Sequence, residues 1–271
     1  SRKFVDVFKK TNGVIIGMLH LPALPGTPKS TMSVAKICDV VLKEAEIYTR
    51  AGLNGIMIEN MHDVPYIKTN LIGPEVTAAM ATVGSKLRTC FPEITIGIQV
   101  LTAANKEALA IAKCCDLDFI RAEGFVFSHI GDEGFIDSCA ASLLRYRKQI
   151  EADHVLVFTD IKKKHSSHSI TSDTSISETS RAAEFFLSDG VIVTGNETGS
   201  STDLNQIKDV QDEVGIPVLV GSGVTADNVD KYIHTSALIV GSHFKVGGVW
   251  SNPVDANLVQ KFMKKVREMN K

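Results

Sequence analysis

Several things are scarce in this sequence, and each scarcity removes a class of protein. No run approaches the roughly 18 uninterrupted apolar residues that a membrane-spanning helix needs. The opening SRKFVDVFKK is too charged and interrupted for a signal peptide. An excess of either charge is missing as well: 29 Lys and Arg against 31 Asp and Glu leave a formal charge of -2, so no broad positive field draws in nucleic acid or an anionic membrane. The basic cluster at 162–168 has no aromatics interleaved with it, which removes the stacking platform of a single-strand binder. Cys38, Cys90, Cys114, Cys115 and Cys139 make an odd set without zinc-type spacing and point to a reducing compartment. These shortages describe a soluble protein of the cytoplasm or of an organelle. Its first residue is Ser, which leaves room for a targeting peptide upstream.

What is present is a rhythm. VIIGMLH at 14–20, GIMIEN at 55–60, TIGIQVL at 95–101, DFIRAE at 118–123, HVLVFTDIK at 154–162, GVIVTG at 190–195, PVLVGSG at 217–223 and ALIVGSHF at 237–244 read as buried parallel strands. Most of the gaps between them are long enough for a crossover helix. Eight such units predict an α/β protein, a single (β/α)8 TIM barrel over 1–271. Apolar stripes at helical spacing support the alternation: Val34, Ile37, Cys38, Val41, Leu42 and Ala45 after the first strand, and Val76, Met80, Val83 and Leu87 after the second. Asn252 and Pro253 are expected to cap and open the last helix, with Val254, Leu258, Val259 and Phe262 as its apolar face. Residues 1–13 are expected to hold an N-terminal extension helix that lays Phe4, Val7 and Phe8 across the lower mouth. Ile15, Ile58, Ile98, Val157, Val193, Val220 and Val240 are expected to fill the packed barrel centre.

In such a barrel the C-terminal strand ends gather at one mouth, here His20, Glu59, Asn60, Arg121, Glu123, Asp160, Lys162 and Thr194. Two-residue alternation puts Asp160 and Lys162 on the same face. Asp160 then orients a hydroxyl, acts as a base or binds a divalent metal, and Lys162 stabilises negative charge or forms a carbonyl adduct. The competing reading is a strand-end salt bridge. Arg121, with its planar fork of donors, is a candidate clamp for carboxylate or phosphate, and a supporting ion pair with Glu59 or Glu123 is the alternative. His20, Glu59, Asp160 and His165 carry metal-binding atoms without diagnostic spacing, so a divalent metal is admitted and its ligands are left unassigned. Gly221, Ser222 and Gly223 follow the seventh run, and Gly241 and Ser242 the eighth, where barrels hold phosphate on backbone donors. Ordinary turn chemistry is the blander account of both. The Ser- and Thr-rich stretch 162–180 is either a lid or a solvated insertion, and HLPALPGTP at 20–28 shapes the pocket or docks another subunit. His62, His129 and His154 are assigned to structure or surface.

Taken in order, MLHLPALPG at 18–26, GIMIENMHDVPY at 55–66, LIGPEVTAAM at 71–80, LAIAKCCDLDFIRAE at 109–123, GDEGFIDSCAASLLRYRK at 131–148, FTDIKKKH at 158–165, VIVTGNETG at 191–199, VLVGSGVTADNV at 218–229 and VGSHFKVGG at 240–248 resemble successive blocks of the BtpA family. That resemblance implies a phosphate-binding type of TIM barrel. It adds Asp63, Lys164, Gly195, Gly199 and Lys245 to the pocket or loop-framework candidates. The family is named for photosystem I biogenesis, and no residue here offers an evident mechanism for binding chlorophyll. The resulting expectation is a protein that binds and transforms a small phosphorylated sugar or nucleotide-related metabolite, as a lyase, isomerase or hydrolase. Its partners are then a phosphorylated small molecule and other copies of itself as a homo-oligomer, with neither nucleic acid nor membrane insertion. The alternative is a noncatalytic assembly or biogenesis factor acting through protein contacts. Asp160→Ala is expected to abolish turnover or ordered binding of the ligand; unchanged activity toward the compound that copurifies with the protein would overturn the assignment.

Overall fold

The computed structural model describes residues 3–195 and 201–269. Among them, eight parallel strands close a barrel in sequence order: β1 (Val14–His20), β2 (Gly55–Glu59), β3 (Thr95–Gln99), β4 (Phe119–Ala122), β5 (Leu156–Asp160), β6 (Gly190–Val193), β7 (Val218–Val220) and β8 (Ala237–Val240). Closure is made by β1, which pairs in parallel with β2 on one side and β8 on the other. The helices are α1 (Phe4–Phe8), α2 (Val34–Ala51), α3 (Pro74–Cys90), α4 (Asn105–Cys114), α5 (Ala140–Gln149), α6 (Ile176–Phe185), α7 (Leu204–Glu213), α8 (Val229–Tyr232) and α9 (Ala256–Met269). None of the described helices is long and apolar enough to cross a membrane.

Local chemistry sets the helix ends. The Ser33 hydroxyl accepts from the Lys36 amide and starts α2, and Gly52 ends it at φ 81°, a left-handed turn that costs glycine little. Pro74 opens α3 at the first turn, where its missing N–H is not needed. Ile37, Cys38, Val41 and Ala45 of α2 are buried against the sheet, as are Val76, Met80, Val83 and Leu87 of α3. The last helix begins later than its sequence suggests. Asp255, not Asn252, accepts from the amides at its start, while Asn252 donates to the Val246 carbonyl in the preceding turn.

Alternation along the strands divides the core into two layers, and it corrects one expectation. Ile15, Ile58, Ile98, Val157, Val193, Val220 and Val240 are buried, but they face the helices and not the barrel axis. The axis is filled by the neighbouring positions: Val14, Ile16, Met18, Met57, Phe119, Leu156, Phe158, Ile192, Leu219, Ala237 and Ile239. A residue and its neighbour on a strand point to opposite faces, so a run that is apolar throughout does not say which set points inward.

The lower end is closed by α1. Phe4 lies 6.0 Å from Phe158 and Phe8 5.8 Å from Phe119, ring centre to ring centre, and the Thr95 hydroxyl donates to the Val7 carbonyl. At the upper end, two loops share a small antiparallel sheet. A hairpin of His129–Gly131 and Gly134–Ile136 follows β4, and Ser166–Ser167, from the loop after β5, pairs with its inner strand.

Size matching inside the barrel is tight at Gly97, where a Cβ would sit 2.1 Å from the Phe119 ring. Gly97→Ala forces that ring to move, and overpacking of this kind costs about 1–3 kcal/mol. The expected readout is a lower urea midpoint with an unchanged m value.

Candidate active site

The inward parity that fills the axis continues to the strand ends and sets the floor of a cavity of about 670 Å³ at the upper mouth. His20, Glu59, Gln99, Arg121 and Asp160 stand on that floor, with Gly221 and Gly241 at the exits of β7 and β8. Met18, Met61, Tyr66, Leu101, Val249 and Trp250 supply apolar wall. The combination of an apolar wall with a few convergent polar groups is that of a small-molecule site.

Two ion pairs take up four of the charged side chains that line the cavity. Arg121 Nε donates to both oxygens of Asp160, at 3.2 and 3.1 Å, and its Nη2 donates to Oδ1 at 2.9 Å. Lys163 Nζ donates to Glu123 Oε1 at 2.9 Å, and the other oxygen of Glu123 accepts from the Ala103 amide. Burial alone would raise the Glu123 carboxyl, but Lys163, the Ala103 amide and Arg121 together outweigh it and hold the group below its ordinary range.

Glu59 and Lys164 are left over. The Glu59 carboxyl accepts no hydrogen bond among the described residues, and His20 Nε2 lies 3.8 Å from its Oε2. Burial pushes it up to about 7 against the pull of Arg121. Lys164 Nζ has no ion-pair partner among the described residues, and burial with the nearby Arg121 charge draws it down to about 8. Its backbone is held in place by the Thr194 hydroxyl, which accepts from the Lys164 amide. His20 Nδ1 lies 3.0 Å from the Trp250 carbonyl, which can only accept, so Nδ1 carries the hydrogen and Nε2 presents its lone pair to the cavity side. Burial, reinforced by the charge of Lys245, pushes His20 down to about 3, so the ring is neutral at physiological pH.

The expected pairing of Asp160 with Lys162 is not met. The strand ends at Asp160, and Lys162 takes a left-handed conformation (φ 47°) that turns its amine away to the Thr171 carbonyl and hydroxyl. Alternation holds only while the chain stays extended. Lys163 and Lys164 reach the cavity in its place, and His165 stands exposed on its rim. Asn60 and Asp63 are framework: Asn60 donates to Asp63 and accepts from the Leu101 amide, and Asp63 accepts from the Leu24 amide. Lys245 is buried behind the barrel wall on Glu44. Among the described residues no group of three or more His, Cys, Asp or Glu side chains is placed to share a metal ion, so His20, Glu59, Asp160 and His165 do not form a ligand set.

The two glycine turns sit side by side at the exits of β7 and β8. The Gly221 amide is taken by the Val193 carbonyl, and the Ser222 hydroxyl accepts from the Gly195 amide. The amides of Gly223, Ser242 and His243 have no acceptor among the described residues. Gly223 has φ 69°, and the His243 ring is drawn aside by the Ala226 amide, leaving its own amide unobstructed. Gly199 lies outside the described residues. Sequence reasoning passed over Gln99, Thr102, Tyr66 and Trp250, all of which line the cavity. Gln99 was detectable, since it holds the same inward parity and pairs in register with Glu59.

Against this geometry, comparison with known proteins is decisive at the level of family: the BtpA family model matches residues 11–268. The chain belongs to the BtpA family. A family relative of Caenorhabditis elegans, described as an uncharacterized mitochondrial protein, is 47% identical over 95% of this chain and 94% of its own length. The photosystem I biogenesis protein BtpA of Synechocystis is 30% identical over 97% of this chain and 92% of its own. Among solved structures, phosphoribosyl anthranilate isomerase of Thermus thermophilus superposes with a TM-score of 0.56 at 11% identity, covering 94% of this chain and 99% of the isomerase. The 3-keto-L-gulonate-6-phosphate decarboxylase of Vibrio cholerae gives 0.55 at 12% identity, covering 95% and 99%. At such identities these structures establish the TIM-barrel fold and nothing finer.

His20 carries a stability prediction. Its pKa is depressed on folding, so its contribution is complete above the unfolded value of about 6.5 and is lost as pH falls toward 3, because the unfolded chain takes up a proton that the folded one refuses. Between pH 6.5 and 5, His20→Gln is expected to lose about 1 kcal/mol less per pH unit than the parent, as measured by urea unfolding at stepped pH.

Proposed function

We propose that this BtpA-family barrel is an enzyme that binds a phosphorylated small molecule and moves a proton on it, with Glu59 as the general acid–base group. The observation that carries the reading is the leftover pair. Once Asp160 and Glu123 are matched by Arg121 and Lys163, the strand ends leave Glu59 with a carboxyl near 7 and the loop after β5 leaves Lys164 with an amine near 8, neither hydrogen-bonded through its side chain among the described residues. Groups driven toward neutrality in this way are suited to proton transfer at physiological pH.

In the proposed complex the phosphate sits on the unoccupied amides of Gly223, Ser242 and His243, with the Ser222 and Ser242 hydroxyls at its edge. Glu59, as carboxylate, removes a proton from carbon or oxygen. The Lys164 ammonium then stabilises the oxyanion that develops, the electrostatic arrangement of an isomerase or lyase working through an enolate. Asp160 keeps the guanidinium of Arg121 oriented rather than acting as the base. The names of the isomerase and decarboxylase that share the fold fit a phosphorylated substrate. An open cavity lined by these groups favours this reading over a purely structural assembly factor.

Recovery of the bound compound by native mass spectrometry, followed by turnover assays on it, tests the proposal. Glu59→Gln is expected to lower kcat about a hundred- to ten-thousandfold. It also removes the limb on which kcat/KM rises with pH through about 7, since the base works only when deprotonated. A variant that keeps both the rate and the limb rules Glu59 out as the acid–base group.

A further inference from the structure

Across the mouth from the two glycine turns, the cavity holds polar groups that the fold does not use. Among the described residues, Gln99 is 2% exposed and its Oε1 has no hydrogen-bond partner; Thr102, also 2% exposed, has an Oγ1 without one, and Glu133, at the tip of the hairpin after β4, has a buried Oε1 in the same condition. All three line the cavity. In an eight-stranded ring β3 stands four strands from β7, so Gln99 and Thr102 face the Gly223 turn from the opposite wall. Buried polar atoms in folded proteins are nearly always paired, and unpaired ones that face a cavity are met by whatever fills it.

The chemistry of this wall narrows what that is. Three oxygens that line one cavity and have no partner among the described residues call for hydrogen-bond donors from the ligand. A hydroxyl suits them best, because it gives a hydrogen to Gln99 or Glu133 and takes one from the Thr102 hydroxyl or the Gln99 amide. A carboxylate does not: it would lie against Glu123 and Glu133, and Lys163, the cation of that wall, is already bonded to Glu123.

We infer that Gln99 and Thr102, with Glu133 above them, form a subsite for the neutral, hydroxyl-bearing end of the ligand, so that the site takes polyol or sugar phosphates and discriminates against phosphorylated carboxylic acids. The inference rests on the phosphate reading given above for the other end of the molecule. Buried acceptors of this kind select strongly, because a ligand lacking the matching donor leaves them unpaired.

Titration calorimetry with erythritol 4-phosphate, ribitol 5-phosphate, sorbitol 6-phosphate, 3-phosphoglycerate, inorganic phosphate and unphosphorylated ribitol tests the subsite. At least one polyol phosphate is expected to bind about tenfold or more tighter than both inorganic phosphate and 3-phosphoglycerate. Gln99→Met is expected to erase that margin while leaving the Kd for inorganic phosphate and the Tm unchanged. If Gln99→Met does not fold, Thr102→Val is read in the same way. A margin that survives substitution overturns the subsite, as does tighter binding of 3-phosphoglycerate, and either result leaves the phosphate reading standing. Binding of ribitol that depends on Gln99, with no response to phosphate in any form, keeps the subsite and removes the phosphate reading. No binding by any probe removes both.

Discussion

A buried guanidinium has one orientation to offer, and at the centre of this mouth Arg121 gives it to Asp160. The side chains of the pair are 8% and 2% exposed, so neither charge has much water to lean on and each depends on the other. Barrel geometry makes the pairing unavoidable. Adjacent strands place Arg121 of β4 level with Phe158 of β5, and Asp160 one inward step above it. Glu59 belongs to β2, two strands away, close enough to be attracted by Arg121 but not bonded to it. Its own desolvation therefore dominates, and the carboxyl stays near neutrality. Were the guanidinium turned to Glu59 instead, that carboxyl would be held ionised and the buried Asp160 would become the acid left without a partner.

The same logic runs through the charged residues around the barrel. Glu123 is matched by Lys163 on the cavity wall, and Glu44 by Lys245 behind it. The near-zero net charge of the chain is thus reproduced locally, pair by pair, and Lys164 stands out because its amine makes no ion pair among the described residues. Burial and the Arg121 charge lower it while the carboxylates of Glu59 and Asp160 raise it, so its protonation is sensitive to what enters the cavity.

How far these arrangements could be read from the residues depended on whether their cause was local. The strands begin where the apolar runs begin, at Val14, Gly55, Thr95, Gly190 and Ala237, because burial on both faces demands unbroken apolar sequence. Their ends were overestimated at Lys162, Gly223 and Phe244, because hydrogen bonding stops at the rim while the apolar or glycine character carries on. The gathering of His20, Glu59, Arg121 and Asp160 was legible, since it follows from topology. The roles of Lys162 and Lys164 were not, since a single left-handed residue reverses which lysine enters the cavity. The small roof sheet was missed for a different reason: Ser166 and Ser167 have little tendency to be extended, and only the hairpin brought beside them by the fold makes them a strand.

The aromatic plug beneath the barrel has a consequence for traffic. Phe4 and Phe8 of α1 seal the base against Phe119 and Phe158, and the axis above them is solid with side chains. A molecule bound at the mouth sits in a cul-de-sac: it leaves by the door it entered. Whatever binds there occupies the doorway until it departs, so arrivals queue behind departures and any two ligands compete for the one entrance.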